Sequence, residues 1–246
     1  MLREAAEYPN SFTPLDSGQE RIDTGRYTVC IGVGVTVQRQ RFPVDEVDDV
    51  LAEVRGLLRA RGRSDTEWEI GSQAQPPGLA DMLLARGLVR EGRATAVALR
   101  SAPPAPPPGI EARAVESLEE QLAAAEVQFA AFGSTPEEAA RYRAALAAEW
   151  PPPGRITHAV WLDGELISAG SCAPTPHGLA LFGGATRPDR RGLGGYRALI
   201  AARWQHAVEL GSPALLTQAG PMSFPILERL GFEVVGSVDQ LRDRFS

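Results

Sequence analysis

Residues 101–110 read SAPPAPPPGI, with five prolines and a glycine. Proline fixes φ and removes a backbone donor, so this run can be neither helix interior nor central strand; it is a stiff, extended spacer. It divides the 246-residue chain into a first unit at 1–101, a linker at 102–109 and a second unit at 110–246, each long enough to bury a core. An apolar fraction of 43% with 23% charged residues is that of a soluble globular protein. The net charge of −6 excludes a general nucleic-acid or membrane-surface role, so any anion site has to be local. Cys30 and Cys172 have no metal-ligand spacing and are too few for a disulfide framework, so no metal site is expected. The first residues lack a charged head followed by an apolar core, and no run approaches the ~18 apolar residues of a membrane span; the expected location is the cytoplasm.

In the first unit YTVCIGVGVTV alternates, with Tyr27, Val29, Ile31, Val33, Val35 and Val37 on one face, and reads as one half-buried strand. Val47, Val50, Leu51, Val54, Leu57 and Leu58 then recur at helical spacing up to Gly62. A short strand around Trp68, a helix LADMLLAR ending at Gly87 and a strand ATAVAL follow. The second unit opens with two helices marked by capping boxes, Ser117 with Glu120 and Thr135 with Glu138. Strands ITHAVWL, ELISAGSC and LALFGGA come next, then a helix stopped by Gly211, a strand PALLTQA, a helix FPILERL and a closing strand pair FEVVGSVDQL. QAQPPGLADMLLARGL from Gln73 and QAGPMSFPILERLGF from Gln218 share a strand end, a short helix and a glycine before a large apolar residue, so the units read as distant repeats.

The stretch RPDRRGLGGYRALI at 187–200 carries the chemistry. Gly192, Gly194 and Gly195 open onto a helix, which offers free N–H groups at the positive end of the helix dipole, and Arg187, Arg190, Arg191 and Arg197 add charge against Asp189 alone. That is a phosphate site. A Walker A loop would need a lysine, which this chain lacks, and a dinucleotide fingerprint would need glycine where Arg197 stands.

Over residues 110–240 the order of a strand end GGAT, a Pro-x-x-Arg-Gly segment at 188–192, an Arg-x-x-Gly loop from Arg191, the strand LLTQA and the ending ILERLGFEVVG resembles the GNAT superfamily of acetyl-CoA-dependent N-acyltransferases. The resemblance implies an α+β fold with a mixed, mostly antiparallel sheet flanked by helices, here as two tandem units. It implies acetyl-CoA as acyl donor, with Gly184, Ala185, Thr186, Arg191, Gly192, Leu193, Gly194, Gly195 and Tyr196 around its pyrophosphate and arm. The strand-end N–H that polarises the thioester falls at Ala185 or Thr186, and the other substrate is a small-molecule or peptide amine, with a homodimer left open. Tyr196 stands where a small residue is usual, so its ring has to point away from the pyrophosphate. Pro221 stands where many members carry an asparagine, Leu227 where many carry a tyrosine acid, and no carboxylate lies in LALFGGAT where a base often sits. His177, before that strand, is the candidate base, and Ser223 the candidate proton donor to the departing thiolate. His158 reads as structural and His206 as exposed. Asp45, Glu46, Asp48 and Asp49 at the matching helix start of the first unit would repel phosphate, which makes that unit a degenerate copy. The expected function is acetyl transfer to an amine; the alternative is a non-catalytic acyl-CoA-binding or interaction module.

Overall fold

A computed structural model describes residues 1–15, 18–32 and 34–246. The first half runs α1 (Leu2–Glu7), β1 (Glu20–Asp23), β2 (Thr28–Ile31), β3 (Val35–Gln38), α2 (Val47–Arg59), β4 (Asp65–Gly71), α3 (Leu79–Leu84) and β5 (Val89–Leu99). The second runs β6 (Ile110–Ala114), α4 (Leu118–Phe132), α5 (Pro136–Ala148), β7 (Ile156–Leu162), β8 (Glu165–Thr175), β9 (Gly178–Thr186), α6 (Gly195–Glu209), β10 (Leu215–Ala219), α7 (Phe224–Arg229) and β11 (Glu233–Arg244).

Local chemistry explains most of these elements. Thr135 and Glu138 close a full capping box on α5, whereas Ser117 caps α4 alone because Glu120 turns to Arg113 and the Glu116 N–H. Asp163 and Gly164, at φ 52° and 79°, form the tight turn between β7 and β8. The alternating run at 27–37 is not one strand but the antiparallel pair β2–β3, because the Gly32 N–H donates to Gly34 O and reverses the chain. Val33, assigned to that run, lies outside the described residues.

Eleven strands form one sheet in the order β1-β2-β3-β4-β11-β5-β10-β9-β8-β7-β6. Pairing is antiparallel except for β3 with β4 and β9 with β10. The expected closing strand pair of the second half is a correction: β11 is one long strand with a bulge beside Gly236, and it pairs with β4 on one side and β5 on the other. β5 in turn pairs with β10. The halves have exchanged their last strands, so the linker at 102–109 divides the chain but not the sheet. The cores follow the exchange. Leu241 of β11 packs with Trp68, Val54 and Leu58 of the first half, and Val97 and Leu99 of β5 pack with Ile200, Leu215 and Leu227 of the second.

Over the exchanged strands the sheet surface is made of small residues, and α1 lies on it against Ala96, Ala98 and Leu216. Gly71 and Gly236 have no room for a Cβ beneath Tyr8 and Glu7. The Gly71 N–H donates to Tyr8 Oη (2.7 Å), the Ser72 N–H to Glu7 Oε1 (3.0 Å), and Gln218 Nε2 to Glu7 O (2.7 Å). Among the described residues no helix is long and apolar enough to cross a membrane.

Strand exchange makes a sharp prediction. Expressed alone, fragments 1–101 and 110–246 each expose a sheet edge that the other should cover, and neither should melt cooperatively; co-expressed, they should copurify at equal stoichiometry. A soluble, cooperatively melting 1–101 fragment would overturn it. Leu241→Ala, a cavity in the first-half core made from the last strand, should cost about 2–5 kcal/mol in chemical denaturation.

Candidate active site

β9 and β10 run parallel only at Leu179 with Leu215 and Ala180 with Leu216. Thr217 Oγ1 then donates to Leu181 O (3.2 Å), and beyond that contact the strands separate. What bends β9 away is a bulge. Ser171 faces Phe182 and Ala169 faces Ala185, so Gly183 and Gly184 together oppose Gly170. Gly183 has φ 54°, and Gln128 Nε2 of α4 donates to its carbonyl (2.8 Å). Glycines inside a strand run are a bulge signal legible in FGGAT, but the opposing Gly170 is visible only in the register.

After β9 a short 3-10 turn (Pro188–Arg190) leads to Gly192 and Gly194 at φ 83° and 88°, and Gly194 caps α6. From Gly194 to Arg197 four successive backbone N–H groups have no backbone partner among the described residues, and the first helical bond runs from the Ala198 N–H to Gly194 O. Gly195 rests on β8, where a Cβ would meet Ser168 Oγ at 2.5 Å; Gly194 rests under the linker, where a Cβ would meet Pro107 Cγ at 2.5 Å. Arg187 pairs with Asp189 and Arg190 with Glu165, while Arg191 and Arg197 have no ion-pair partner among the described residues. The Tyr196 ring turns down beneath Gly184, away from the loop, and burial pushes its phenol pKa up. Ala185 and Thr186 stay in register with Ala169 and Ser168.

On the opposite face a cavity of about 680 Å³ lies between α4, α5 and β7–β9. Its floor holds Gly183 of the bulge, Phe182, and the hydroxyls of Thr157 and Ser171, which lie 3.3 Å apart. Gln121, Gln128 and Tyr142 form one wall, and Gln19 and Gly32 of the first half close another. A larger hollow of about 1020 Å³, against Pro76, Asp81 and Arg90 in the first half, touches neither the glycine loop nor the separated strands.

The other candidates fall apart spatially. His177 sits in the turn between β8 and β9, edge-on to Phe12, at the closed end of the β9/β10 pair where the Leu179 N–H donates to Ala214 O. A nine-residue strand puts it roughly 25 Å from the glycine loop. Ser223 lies at the open end, capping α7 without a side-chain bond to the helix and donating from Oγ to Gly220 O (3.2 Å). Leu227 is buried in the core. Burial, helped by Arg203 and His206, pushes the His158 imidazole down to about 3, and burial pushes the Cys172 thiol up to about 11, so neither is a base or nucleophile near neutral pH. His206, expected on the surface, is half-buried with its ring 5.3 Å from that of His158.

No family model and no curated protein matches the sequence. Solved structures match nearly all of it. A GCN5-related N-acetyltransferase from Kribbella flavida superposes with a TM-score of 0.70 at 22% identity, over 92% of this chain and 89% of that one. A tandem GNAT protein from the clavulanic acid biosynthesis pathway gives 0.62 at 18%, over 97% and 87%. This chain has the tandem GNAT fold. A GCN5-related N-acetyltransferase from Sphaerobacter thermophilus shares it, with a TM-score of 0.63 at 18% identity over 99% and 90%.

Within that fold the first half repeats the strand geometry but not the site. β3 and β4 are parallel at Thr36 with Glu67 and Val37 with Trp68, as β9 and β10 are. Beyond that point the space holds buried Gln38, Gln40 and Glu69. Gln38 Nε2 donates to Glu69 Oε2, and Gln40 Nε2 donates to Val37 O and Glu69 O. At the start of α2, Glu46 pairs with Arg26 and Asp48 with Arg86.

Burial pushes the Glu69 carboxyl from its ordinary 4.5 up to about 7. A raised carboxyl pKa favours the folded state below the unfolded value and costs stability as pH climbs through the folded one. Glu69 should therefore remove on the order of 3 kcal/mol between pH 4.5 and 7. Denaturation midpoints from pH 5 to 8 should fall in the parent and flatten in Glu69→Gln; equal slopes would refute the assignment.

Proposed function

We propose that this chain is an N-acetyltransferase that moves an acetyl group from acetyl-CoA to an amine, using its second half alone. The observation that carries this reading is the row of four unpartnered N–H groups from Gly194 to Arg197, set at the start of a fifteen-residue helix where β9 has parted from β10. Four free donors at one helix start, with the helix dipole behind them, suit the phosphates of a pyrophosphate. Arg191 and Arg197 remain to pair with its oxygens. The resting place of the Tyr196 ring beneath Gly184 keeps the loop mouth clear. Solved structures of the same fold named as N-acetyltransferases support the reading.

When bound, the thioester supplies an activated acyl group; the protein has to place and polarise it. The gap between β9 and β10 holds an extended arm, and the bulge at Gly183 and Gly184 frees strand backbone to donate to the carbonyl oxygen. The bulge adds to the expected donors Ala185 and Thr186: the Arg187 N–H donates to Ile167 O of β8, so by strand alternation the Thr186 N–H faces away from β8, toward the gap. The amine enters from the 680 Å³ cavity on the other face, which shares Gly183 with the gap. The first half contributes Gln19 and Gly32 to that cavity and so shapes the acceptor site while binding no CoA itself.

Proton transfer has little help. No histidine or carboxylate lies on the open stretch of β9, His177 is at its far end, and Ser223 is the one hydroxyl at the start of α7. General acid–base assistance is typically about 10²–10⁴-fold, so positioning and polarisation must carry the rate. Turnover should be slow, should rise with pH toward the acceptor's own pKa, and should be unchanged in His177→Ala. A bend near neutral pH that His177→Ala abolishes would restore that histidine as the base.

Binding is the primary test. Acetyl-CoA at ~100 times its dissociation constant should add about 2.7 kcal/mol of stability. Calorimetry should give one CoA per chain, and Gly194→Glu, which puts a bulky anion at φ 88° under Pro107, should abolish both signals. No response to CoA or acetyl-CoA would end the proposal. Binding without acetylation of any amine in a panel would leave the acyl-CoA-binding module in its place.

A further inference from the structure

Arg203, two turns into α6, is 1% exposed, and its guanidinium lies directly beneath the bulge of β9. Two glycines make room for it: a Cβ on Gly170 would run into Nη2, and one on Gly184 would come within 3.3 Å of Nη1. Among the described residues its one hydrogen bond is long, from Nη2 to Phe182 O at 3.4 Å, and Nε is buried without a partner. No carboxylate pairs with it among the described residues. The groups facing it are His158 from β7, Cys172 from β8 and Tyr196 from its own helix, with His206 on the next turn, and burial holds the first three in their neutral forms. Guanidinium does not give up its proton in proteins, so the charge remains although burial lowers its pKa.

A buried cation without a counter-ion is costly, and an apolar side chain of similar volume would serve packing better. Here the charge comes with two glycines cleared for it, at the strand distortion that opens the gap toward β10. In a desolvated setting, a fixed cation stabilises negative charge nearby far more than it would in water. Acyl transfer from a thioester develops such charge, first on the carbonyl oxygen and then on the departing sulfur.

We propose that Arg203 is a positioning residue of the acyl-transfer site, a fixed buried cation that holds the Phe182 carbonyl and the β9 bulge and stabilises anionic sulfur in the gap between β9 and β10. The proposal rests on the CoA site argued above. Its test reads the thiol of bound CoA directly, by ultraviolet thiolate absorbance against pH, in the parent, Arg203→Lys and Arg203→Gln, with desulfo-CoA affinity measured in parallel. Lysine keeps the charge; glutamine keeps a donor for Phe182 without it.

In the parent, bound CoA should ionise more readily than free CoA by about tenfold or more, one pKa unit. Arg203→Gln should lose that gain and Arg203→Lys should keep most of it, while desulfo-CoA, which has no thiol, should bind all three within twofold. Unaltered ionisation in the parent relative to free CoA would overturn the proposal even if no variant folds. So would a glutamine variant that ionises like the parent, or desulfo-CoA affinity that falls with the charge. Failure of the parent to bind CoA at all would instead overturn the reading of the site itself.

Discussion

The antiparallel pairing of β5 with β11 is the contact on which the rest of the structure depends. Each strand comes from one half and completes the core of the other, so neither half can bury its apolar face alone. The pairing also sets where β4 and β10 lie, and through them the two places where a parallel strand pair opens. The small residues along these strands let α1 settle over them, and Glu7, Tyr8 and Gln218 then tie the first residues to both halves. A proline-rich linker costs nothing in this arrangement, because the sheet, and not the linker, holds the halves in register.

The same scaffold reaches opposite ends at its two openings. Both have a parallel pair two residues long, a helix start nearby, and a short helix closed by a glycine at φ 94°, Gly87 in one half and Gly231 in the other. In the first half long polar side chains fill the opening and arginines neutralise the acidic helix start. In the second half the corresponding strand positions are Leu181, Gly183 and Thr217, whose hydroxyl reaches only the Leu181 carbonyl, and the helix start is bare backbone. The difference between the two openings is thus a matter of a few side chains: Gln38, Gln40 and Glu69 in one half, Leu181, Gly183 and Thr217 in the other.

Much of this was legible in the sequence because it is local chemistry. Glycines before a helical run, capping residues, and the repeated strand-helix-glycine order each act within a few residues. What escaped was non-local. The hairpin at 27–37 hid behind an alternation that runs through the turn, and nothing in FEVVGSVDQL says that its partner lies more than a hundred residues earlier. His177 looked close to the chemistry because it precedes β9, but a strand is long and the site is at its other end. Arg203 carries no local signal, because only the packing shows Gly170 and Gly184 clearing space for it.

Charge placement follows from these geometric facts. In a chain of net charge −6, most arginines are held by carboxylates, and those of the loop are no exception: Arg187 and Arg190 are neutralised by Asp189 and Glu165. Among the described residues the loop leaves Arg191 and Arg197 without ion pairs, beside a row of helix-start N–H dipoles, a combination that would attract an anion at short range without making the surface generally basic. Solvated cations at the loop are screened by salt, and the dipoles lose strength within a turn. A charge buried under the strand is not weakened in that way. On the proposed reading, anion capture at the rim and charge stabilisation at the reacting end call for different residues, loop arginines and backbone for the first and a buried cation for the second, and α6 carries Arg197 and Arg203 at opposite ends of its first three turns.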